Sequence, residues 1–531
     1  MPDPVTRPLG AQISHMLKER GVDVIFGIPG VHNQEMYRGI EEAGITHVLA
    51  RHEQGAGFMA DGYARASGKL GVAYVISGPG LCNIMTPMGQ AYSDSVPVLV
   101  ISSCLDETSA QRGQLHQMKD QEIAAGTVCE WSETALSADA VYTLVDRALV
   151  EFETTRPRSK HIQVPIAQLQ AQALPAPATR GRARHASFYE GDVIRVGDML
   201  SASQKPLFIF GGGARYAADA ARGVVRACSG ASFSTYAGRG IIGKDDPLHF
   251  GAWLAMPETA DVIAQADLVV AVGTELAEVD IWRAHLGHTA PMIRIDLDPE
   301  VLGDTQRAEH PVQAEAGAFL SVLWEVVHGM TPKSGWSAPD ITALRAAWSA
   351  QTDAARPGIV PLCNALSAVI PKDTMIYSDM TQFAYVAKEV WDMDRPGHWH
   401  HPYGFGTLGY ATPAAIGGAI ARKGKPTMAI IGDYGFHYTM QELGVAVELG
   451  LSLPIILWDN GKLGEIEDSM VRAQIAPNAV IAHNPDFCKL AEAFGARSVA
   501  PQSIEAFQKA VSEAFEADGP TLIYATPALT A

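Results

Sequence analysis

The stretch TMAIIGDYGFHYTMQELGVAVELGLSLPIILWDN (427–460) decides the fold class. It predicts an apolar strand, a glycine-containing turn, a helix from about Thr439 to Glu448 that Gly450 closes, and a second apolar strand. Both strands are continuously apolar rather than alternating, which is typical of a parallel sheet covered by helices on both faces. Polar residues at the carboxyl ends of such strands are expected to meet at one edge of the sheet.

Strand-like apolar segments recur along the chain. Six further ones lie at residues 22–30, 70–80, 96–103, 205–213, 266–275 and 290–299. Two segments without apolar periodicity, 171–186 and 329–341, have the composition of linkers. The chain is therefore expected to be an α/β protein of three doubly wound parallel-sheet domains, at residues 1–180, 187–330 and 342–531.

Composition excludes several classes of protein. A formal charge of −18 opposes a nucleic-acid surface, which needs clustered Lys and Arg. No apolar run reaches about 18 residues and the start lacks the layout of a signal peptide, so neither a membrane span nor export is expected. The six cysteines are scattered without a CxxC pair, which favours reduced thiols in the cytoplasm over disulfides or zinc.

The turn after the first strand of the opening stretch carries a candidate metal site. Asp433 follows one strand and Asn460 follows the next. A carboxylate and an amide oxygen form a hard, oxygen-only site that suits Mg²⁺ completed by phosphate oxygens and water. Gly432 and Gly435 allow backbone N–H groups to approach a diphosphate. The alternative is a plain Gly-Asp turn and a plain asparagine cap.

A second candidate site lies near the start of the chain, in THVLARHEQGAGFMADGYARASG (46–68). Glu53 stands where a predicted strand meets a helix. Gly55 and Gly57 beside it permit close approach of another chain or ligand. A glutamate in such an apolar setting favours a role in proton transfer, although an ordinary helix-start glutamate is the alternative.

Together these segments resemble the thiamine-diphosphate enzymes of the acetolactate synthase and 2-oxo acid decarboxylase superfamily. The opening stretch is similar to the family's GDG and NN signature, and HEQGAGFMADGYAR (52–65) is similar to its HExxAxxxAxGYAR segment. The resemblance implies thiamine diphosphate and Mg²⁺ as cofactors. It also implies that the side chains of Asp433 and Asn460 and the carbonyl of Lys462 bind the metal.

This chain departs from the family signature at two positions. Tyr434 replaces the second glycine and Asp459 replaces the first asparagine. Neither position is an implied ligand, but Tyr434 would narrow the turn at which the cofactor lies.

Further cofactor contacts are implied by the same resemblance. YGFGTLGYATPAAIG (403–417) is similar to the family segment whose glycine carbonyl and bulky side chain hold the aminopyrimidine and bend the cofactor, here Gly406 and Leu408. Gln382 matches a diphosphate-contacting position, and Glu53 matches the carboxyl that hydrogen-bonds the pyrimidine N1′.

Three N-terminal loops complete the implied site. VISGPGLCN resembles a pyrimidine-pocket motif, with Ser77, Gly78 and Asn83 as cofactor contacts. FGIPGVHN forms a turn with Pro29 and Gly30 at the cofactor and Val31 and His32 as candidate substrate-wall residues. HQMKDQ is similar to a loop that positions catalytic side chains, here His116 and Gln117, although a structural histidine is the alternative.

The family builds each active site from two subunits, so the resemblance implies a homodimer or homotetramer. Biosynthetic acetolactate synthases bind FAD in the central domain, and relatives carry an arginine in GxRFDDR. The corresponding segment here, AVGTELAEVD (271–280), lacks that arginine. FAD is therefore not expected.

Among subfamilies, the motifs most resemble 5-guanidino-2-oxopentanoate decarboxylases, which implies a 2-oxo acid substrate and the products 4-guanidinobutanal and CO₂. Glu465 is a candidate partner for the guanidinium group, with a solvated acidic run as the alternative. An FAD-independent carboligase of acetolactate synthase type is the alternative function. A non-catalytic, cofactor-holding subunit is disfavoured because it would normally lose Glu53 or a metal ligand.

Overall fold

The computed structural model describes residues 5–106, 113–179, 181–306, 308–331, 333 and 335–530. These residues form three six-stranded sheets with helices, so the predicted α/β fold class is confirmed. By compactness the chain divides into two units. The first comprises the described residues of Met1–Arg184, Ile370–Thr381 and His401–Leu529, and the second comprises His185–Val369 and Gln382–His400, with Thr530.

The N-terminal sheet has the strand order β3-β2-β4-β5-β7-β6, and its paired strands are parallel. Short strands β1 and β8 pair antiparallel beside it. The strands are β1 (Arg7–Pro8), β2 (Val24–Gly27), β3 (Thr46–Leu49), β4 (Gly71–Val75), β5 (Val98–Cys104), β6 (Ser132–Thr134), β7 (Lys160–Pro165) and β8 (Gln172–Ala173). The helices are α1 (Leu9–Glu19), α2 (Gln34–Glu42), α3 (Glu53–Ser67), α4 (Pro79–Ser93), α5 (Gln121–Gly126), α6 (Ala138–Thr154) and α7 (Ile166–Gln170).

The central sheet is also parallel and has the order β11-β10-β9-β12-β13-β14. Its strands are β9 (Pro206–Phe210), β10 (Ala231–Ser234), β11 (His249–Gly251), β12 (Leu268–Val272), β13 (Met292–Asp296) and β14 (His310–Gln313). The helices of this part are α8 (Glu190–Ala202), α9 (Ala218–Ala227), α10 (Thr259–Ile263), α11 (Glu278–Ile281), α12 (Pro299–Leu302), α13 (Ala316–Val327), α14 (Ala338–Ala355) and α15 (Ile359–Val369).

The third sheet has the order β16-β15-β17-β18-β20-β19. Its strands are β15 (Met375–Ser378), β16 (Trp399–His400), β17 (Thr427–Gly432), β18 (Pro454–Trp458), β19 (Arg497–Val499) and β20 (Thr521–Ala525). The helices of this last part of the chain are α16 (Gln382–Val390), which belongs to the second unit, α17 (Ala411–Ala421), α18 (Asp433–Thr439), α19 (Leu443–Glu448), α20 (Gly464–Arg472), α21 (Phe487–Ala493) and α22 (Ile504–Phe515).

The strand order indicates where a ligand can bind at the N-terminal sheet and at the third sheet. In the N-terminal sheet the chain changes direction between β2 and β4, and in the third sheet it changes direction between β15 and β17. Crevices at the carboxyl ends of strands at such switch points are the usual ligand sites of doubly wound folds. The segments that run from the ends of these four strands into the following helices carry most of the predicted site residues.

Within the first unit, helices α3 and α17 pack with their backbones in close contact. A Cβ atom added at Gly62 would lie 1.9 Å from the carbonyl oxygen of Ala414, and one added at Gly417 would lie 2.0 Å from that of Met59. The buried Tyr377 hydroxyl donates to the carbonyl of Gly62 at 2.8 Å. The N-terminal helix that begins at Glu53 is thus fixed against the third sheet of its own chain.

The predicted strands are confirmed, but one helix boundary was wrong. The helix after β17 begins at Asp433 itself, not near Thr439, and a 3₁₀ turn at Met440–Glu442 separates α18 from α19. The expected end is confirmed, because α19 stops at Glu448 and Gly450 has φ +58°. The three domain boundaries stay a prediction, and residue 180, one of them, lies outside the described residues.

No helix among the described residues is both long enough and apolar enough to cross a membrane.

Candidate active site

Glu53 is the first residue of α3, at the carboxyl edge of the N-terminal sheet. Its helix is capped by His52, whose ring Nδ1 accepts from the backbone N–H of Gln54 at 3.1 Å. Glu53 is buried, and Asn83 at the start of α4 donates from Nδ2 to its Oε2 at 2.9 Å. The two residues come from separate predicted motifs, and the fold brings them into contact.

The glycine at the head of α4 is required by its surroundings. Gly78 has φ +68°, and an added Cβ would lie 2.4 Å from the carbonyl oxygen of His116. Its N–H donates to the side chain of Gln121 at 2.9 Å. Gln121 is buried and also donates to Ser102 and Gln163, at 3.1 and 2.9 Å. Gln121 was not predicted, although it ends the HQMKDQ motif in which earlier positions were chosen.

Two histidines lie side by side near this glycine. The ring centroids of His32 and His116 are 4.9 Å apart, and His32 Nδ1 is 2.7 Å from the hydroxyl of Ser77. Burial, with a smaller effect of His116, lowers the pKa of His32. His116 has φ +62°, and its buried Nδ1 has no hydrogen-bond partner among the described residues. Non-glycine residues in this left-handed region are uncommon and concentrate at functional sites.

The remaining N-terminal predictions lie on loops of the same edge. The Gly30 N–H donates to Asn33 Oδ1 at 2.7 Å, which closes the turn after β2. Pro29 and Val31 at the tip of this turn are exposed, Val31 to 61%. Gln117 is half-buried, and its side-chain oxygen accepts from the backbone N–H of Gln114 at 3.2 Å within its own loop.

The predicted metal ligands follow two directly paired strands. Gly432 at the end of β17 is in register with Trp458 at the end of β18, so Asp433 and Asn460 leave the same edge of the sheet. Asp433 is buried, and burial raises its pKa to about 6. The side chain of Asn484, which was not predicted, donates to Asp433 at 2.7 Å and to Asp459 at 2.9 Å.

The loop after β18 folds tightly around its own side chains. The N–H of Gly461 donates to Asp459 Oδ1 at 2.8 Å, and the N–H of Lys462 donates to Asn460 Oδ1 at 3.3 Å. The Lys462 ammonium pairs with Glu467 in α20. The predicted ligands Asp433, Asn460 and Lys462 therefore belong to one turn region.

This turn region fits Mg²⁺ better than a softer metal. Two carboxylates, those of Asp433 and Asp459, share one amide donor, and a divalent cation would relieve their repulsion. The described residues contain no group of three or more His, Cys, Asp or Glu that could hold a metal ion. The three predicted ligands offer one carboxylate, one amide and one backbone carbonyl oxygen, which leaves coordination positions for phosphate and water.

The turn that is predicted to bind the diphosphate contains two glycines, Gly432 and Gly435, that lie close to the loop after β15. An added Cβ at Gly432 would lie 3.0 Å from Thr381 Oγ1, and one at Gly435 would lie 3.0 Å from Asp379 Oδ2. Tyr434 between them is half-buried, with its ring centroid 6.5 Å from that of His437. Gln382 is the first residue of α16 and belongs to the second unit.

The loop that carries Gly406 and Leu408 is anchored at both ends. Gly406 has φ +65°, and Leu408 is half-buried. Asp94, itself bound by Arg65 at 2.8 Å, accepts from the N–H of Gly404 at 2.8 Å. The Thr439 hydroxyl donates to the carbonyl of Gly409 at 2.8 Å. Hydrogen bonds at Gly404 and Gly409 therefore fix both ends of the loop.

A buried glutamate that was not predicted connects the two predicted sites within one chain. Glu442 lies in the 3₁₀ turn after α18 and accepts from the backbone N–H of Arg51 at 3.1 Å. An added Cβ at Gly55 would lie 2.4 Å from its carboxyl carbon. Burial raises the pKa of Glu442 to about 7, and the charge of Glu53 adds to this. No local pattern marks this residue, because its partners are almost four hundred positions away.

Glu465, the candidate substrate residue, lies in the first turn of α20 and is half-buried. This helix follows the metal-site loop directly. Exposed apolar side chains lie on it and on the following segment, namely Ile466, Val471, Ile475 and Ile481.

Family models match all three sheets. The model of the N-terminal TPP-binding domain of thiamine pyrophosphate enzymes matches residues 7–123, that of their central domain matches 193–323, and that of their C-terminal TPP-binding domain matches 379–525. The two TPP-binding models cover the segments that contain Glu53 and Asp433.

Relatives match over nearly the full length. A probable 2-ketoarginine decarboxylase of Pseudomonas aeruginosa is 38% identical, over 98% of this chain and 94% of its own length. The large subunit of acetolactate synthase isozyme 2 of Escherichia coli is 28% identical, over 97% of this chain and 95% of its own. The large subunit of isozyme 1 is 26% identical, over 96% and 92%. The chain belongs to the family of thiamine pyrophosphate enzymes.

Proposed function

We propose that the protein is a decarboxylase of 2-oxo acids that uses thiamine diphosphate (thiamine pyrophosphate) and Mg²⁺, with 5-guanidino-2-oxopentanoate as its substrate. The observation that carries the proposal is the pairing of buried Glu53 with Asn83 at one switch point, together with the acidic Asp433 turn at the other. The first supplies a proton-transfer group and the second supplies a site for a metal diphosphate.

When bound, thiamine diphosphate supplies a nucleophilic carbon and an electron sink for the loss of CO₂. Glu53 would hold a proton at the pyrimidine ring, with Asn83 fixing the orientation of its carboxyl group. Asp433, Asn460 and the Lys462 carbonyl would hold Mg²⁺ and through it the diphosphate. Ser77, Gly78, Gly406 and Leu408 would line the ring-binding part of the site.

Proton transfer to the substrate carbon is assigned to the histidine pair. His32 and His116 lie in ring contact, and the lowered pKa of His32 favours a neutral imidazole at neutral pH. A neutral imidazole can both accept and donate a proton. Replacing the carboxylate of the substrate with a proton completes the aldehyde, so one such donor is sufficient.

The guanidino substrate rests on two observations. One relative at 38% identity carries the name 2-ketoarginine decarboxylase, which denotes the same 2-oxo acid. Glu465, just past the metal-site loop, offers a carboxylate that can bind a planar guanidinium group. The expected products are 4-guanidinobutanal and CO₂.

The test is a substrate panel with purified protein, Mg²⁺ and thiamine diphosphate. We expect CO₂ and aldehyde from 5-guanidino-2-oxopentanoate at a higher kcat/KM than from pyruvate or benzoylformate. Glu465→Gln should raise KM for the guanidino acid about tenfold and leave KM for pyruvate unchanged. Asp468→Asn, an exposed change on the same helix, is the matched control. Equal effects of Glu465→Gln on both acids would contradict the role of Glu465.

A carboligase of acetolactate synthase type is the second candidate, because the two Escherichia coli relatives named above carry that activity in their names. Product analysis with pyruvate distinguishes the two, since a carboligase yields acetolactate and a decarboxylase yields acetaldehyde. We expect the purified protein to lack the absorption spectrum of a flavin. A stoichiometric flavin would favour the biosynthetic synthases.

We also propose a homodimer, or a tetramer of two such dimers, in which Glu53 of one chain serves the metal site of the other. Large apolar side chains that are exposed in the single chain support such an interface, namely Val31, Leu49, Leu115, Phe405, Tyr438 and Leu449. Co-expression of Glu53→Gln and Asp433→Asn chains tests the arrangement. Mixed dimers should regain activity, because one of their two sites would then contain both native residues, whereas sites built within one chain would all stay defective.

A further inference from the structure

Asp379 is a buried carboxylate at the switch point of the third sheet, directly after β15. We propose that Asp379 is a positioning residue that couples the loop binding the aminopyrimidine to the turn binding the diphosphate. This inference rests on the proposed function, because it assigns those two roles to the loop at Gly406 and the turn at Asp433. The Asp379 side chain would thereby set the spacing between two parts of the same cofactor site.

The contacts of Asp379 reach both segments. Its Oδ2 accepts from the N–H of Gly409 at 2.9 Å and, at a longer distance of 3.5 Å, from the N–H of Ala411. The same oxygen lies 3.0 Å from the position that a Cβ would occupy at Gly435. Its Oδ1 accepts from the N–H of Met380 at 2.8 Å. One carboxylate thus binds the end of the Gly406 loop and lies close beside Gly435, where it leaves no space for a side chain.

A second contact joins the same two segments. The Thr439 hydroxyl, at the end of α18, donates to the carbonyl of Gly409 at 2.8 Å. Gly409 is therefore held from both sides, through its N–H by Asp379 and through its carbonyl by Thr439. Only glycine fits at this position, because φ is +83° and an added Cβ would lie 2.7 Å from the Cβ of Tyr438.

Burial explains why the spacing is rigid. Asp379 is completely buried, and burial raises the pKa of its carboxyl group to about 7, while the backbone N–H groups of Met380, Gly409 and Ala411 stabilise the ionised form. A buried carboxylate that loses these donors would be left without hydrogen bonds in a poor solvent for charge. Movement of the Gly409 backbone away from the diphosphate turn is therefore costly. The Gly406 loop and the turn at Asp433 would therefore already have the separation that a cofactor bound to both requires.

The alternative is that Asp379 only caps α17. A cap would affect stability and every ligand of this sheet alike, whereas a coupling residue affects only a ligand that spans both segments. Mg²⁺–pyrophosphate occupies the diphosphate turn alone, and Mg²⁺–thiamine diphosphate occupies both. The ratio of the two dissociation constants therefore separates the two roles.

The experiment measures both dissociation constants by isothermal titration calorimetry on the full-length apoprotein. Asp379→Asn keeps the size of the side chain but turns an N–H group toward backbone donors. We expect it to weaken Mg²⁺–thiamine diphosphate about 10-fold to 100-fold and Mg²⁺–pyrophosphate less than about threefold. Thr439→Val, which removes the second contact with almost no change of shape, should shift the ratio in the same direction and serves if Asp379→Asn does not fold.

Asp267→Asn is the matched control. The exposed Asp267 carboxylate, directly before β12, accepts from the backbone N–H groups of Gln204 and Lys205, at 2.7 and 2.9 Å, so the change removes the same kind of contact elsewhere. Its ratio should equal that of the wild type. Equal weakening of both ligands by Asp379→Asn and Thr439→Val, or no weakening, would overturn the inference. Failure of the wild type to bind thiamine diphosphate would instead refute the proposed function.

Discussion

The two halves of the candidate site differ in how their charges are balanced. In the N-terminal half, acceptors meet donors, as with Glu53 and Asn83 at 2.9 Å and Gly78 and Gln121 at 2.9 Å. In the C-terminal half, two carboxylates, Asp433 and Asp459, converge on one amide. In the N-terminal half the Glu53 carboxylate thus has a donor of its own, whereas in the C-terminal half two carboxylates share one donor.

This difference indicates an order of events. Two buried acids that share one donor gain directly from a divalent cation, whereas Glu53 already has its own donor in Asn83. We therefore expect Mg²⁺ with the diphosphate to bind first, through the C-terminal half. The pyrimidine ring then meets a preformed Glu53. Four predictions test this contrast, from the largest expected effect to the smallest.

Glu53→Gln should have the largest effect on turnover. The variant keeps the size of the side chain and can still bond to Asn83, but it cannot exchange a proton. We expect kcat to fall about 10²-fold to 10⁴-fold, with the affinity for Mg²⁺–thiamine diphosphate within about tenfold of the wild type. Steady-state rates of CO₂ release and calorimetric titration measure the two quantities. A fall in affinity that accounts for all of the lost activity would contradict a catalytic role.

Asn484→Ala should act on the other half and on the metal. Without the shared amide, Asp433 and Asp459 lose their common donor and their fixed orientation. We expect the Mg²⁺ concentration for half-maximal activity to rise about 10-fold to 100-fold, while kcat at saturating Mg²⁺ stays near the wild-type value. Asn478→Ala, on an exposed part of the same segment, is a suitable control. An unchanged metal requirement would show that Asn484 does not support the metal site.

His116→Asn should affect catalysis but not folding. Asparagine tolerates the left-handed φ of +62° better than most residues, so the backbone is retained. Loss of the imidazole should reduce kcat about tenfold or more and leave the melting temperature within a few degrees. If kcat and its pH profile both match the wild type, His116 is a structural residue.

Glu442→Gln should have the smallest effect, visible in the pH dependence of stability. Burial raises the pKa of Glu442 from an ordinary value of 4.5 to about 7, so between these values the folded protein holds a proton that the unfolded chain releases. The unfolding free energy of the wild type therefore falls as pH rises through this window.

A glutamine at position 442 does not ionise, so the variant has no proton uptake at this position on folding. Its unfolding free energy relative to the wild type should increase by about 1 to 3 kcal/mol between about pH 5 and pH 8, measured by denaturant titration. Glu448→Gln, a change of an exposed residue bound to Arg51, is the control and should show no such trend. A difference that is independent of pH would mean that Glu442 keeps an ordinary pKa.

The strands, and the positions of polar residues at their carboxyl ends, could be predicted because they depend on local sequence. A continuous apolar run predicts a buried parallel strand, and a polar residue at its end lies at the ligand edge, as Asp433 and Asn460 do. The predicted start of the helix after β17 was wrong because the glycines at 432 and 435 weaken the helix signal. Burial of side chains such as Phe436 stabilises a helix from Asp433 onward.

The residues that sequence could not identify are those whose partners are distant. Glu442, Asp379, Asn484 and Gln121 are ordinary polar residues in their own segments. Each becomes significant only because the fold brings it against polar groups of another segment, as with Glu442 and Arg51. Likewise, the left-handed φ of His116 could not be predicted, because such a φ is usually expected at a glycine. Periodicity reports which face of an element is apolar, but not which polar group will be enclosed by the packing of two sheets.

The most direct test of the account is the release of CO₂ from 5-guanidino-2-oxopentanoate by the metal-free, cofactor-free protein, measured before and after addition of Mg²⁺ and thiamine diphosphate. We predict turnover only when both are present, with 4-guanidinobutanal formed in equal amount, and near-complete loss of this turnover in Glu53→Gln. Saturating binding of both cofactors without CO₂ release from this or any other 2-oxo acid tested would contradict the account.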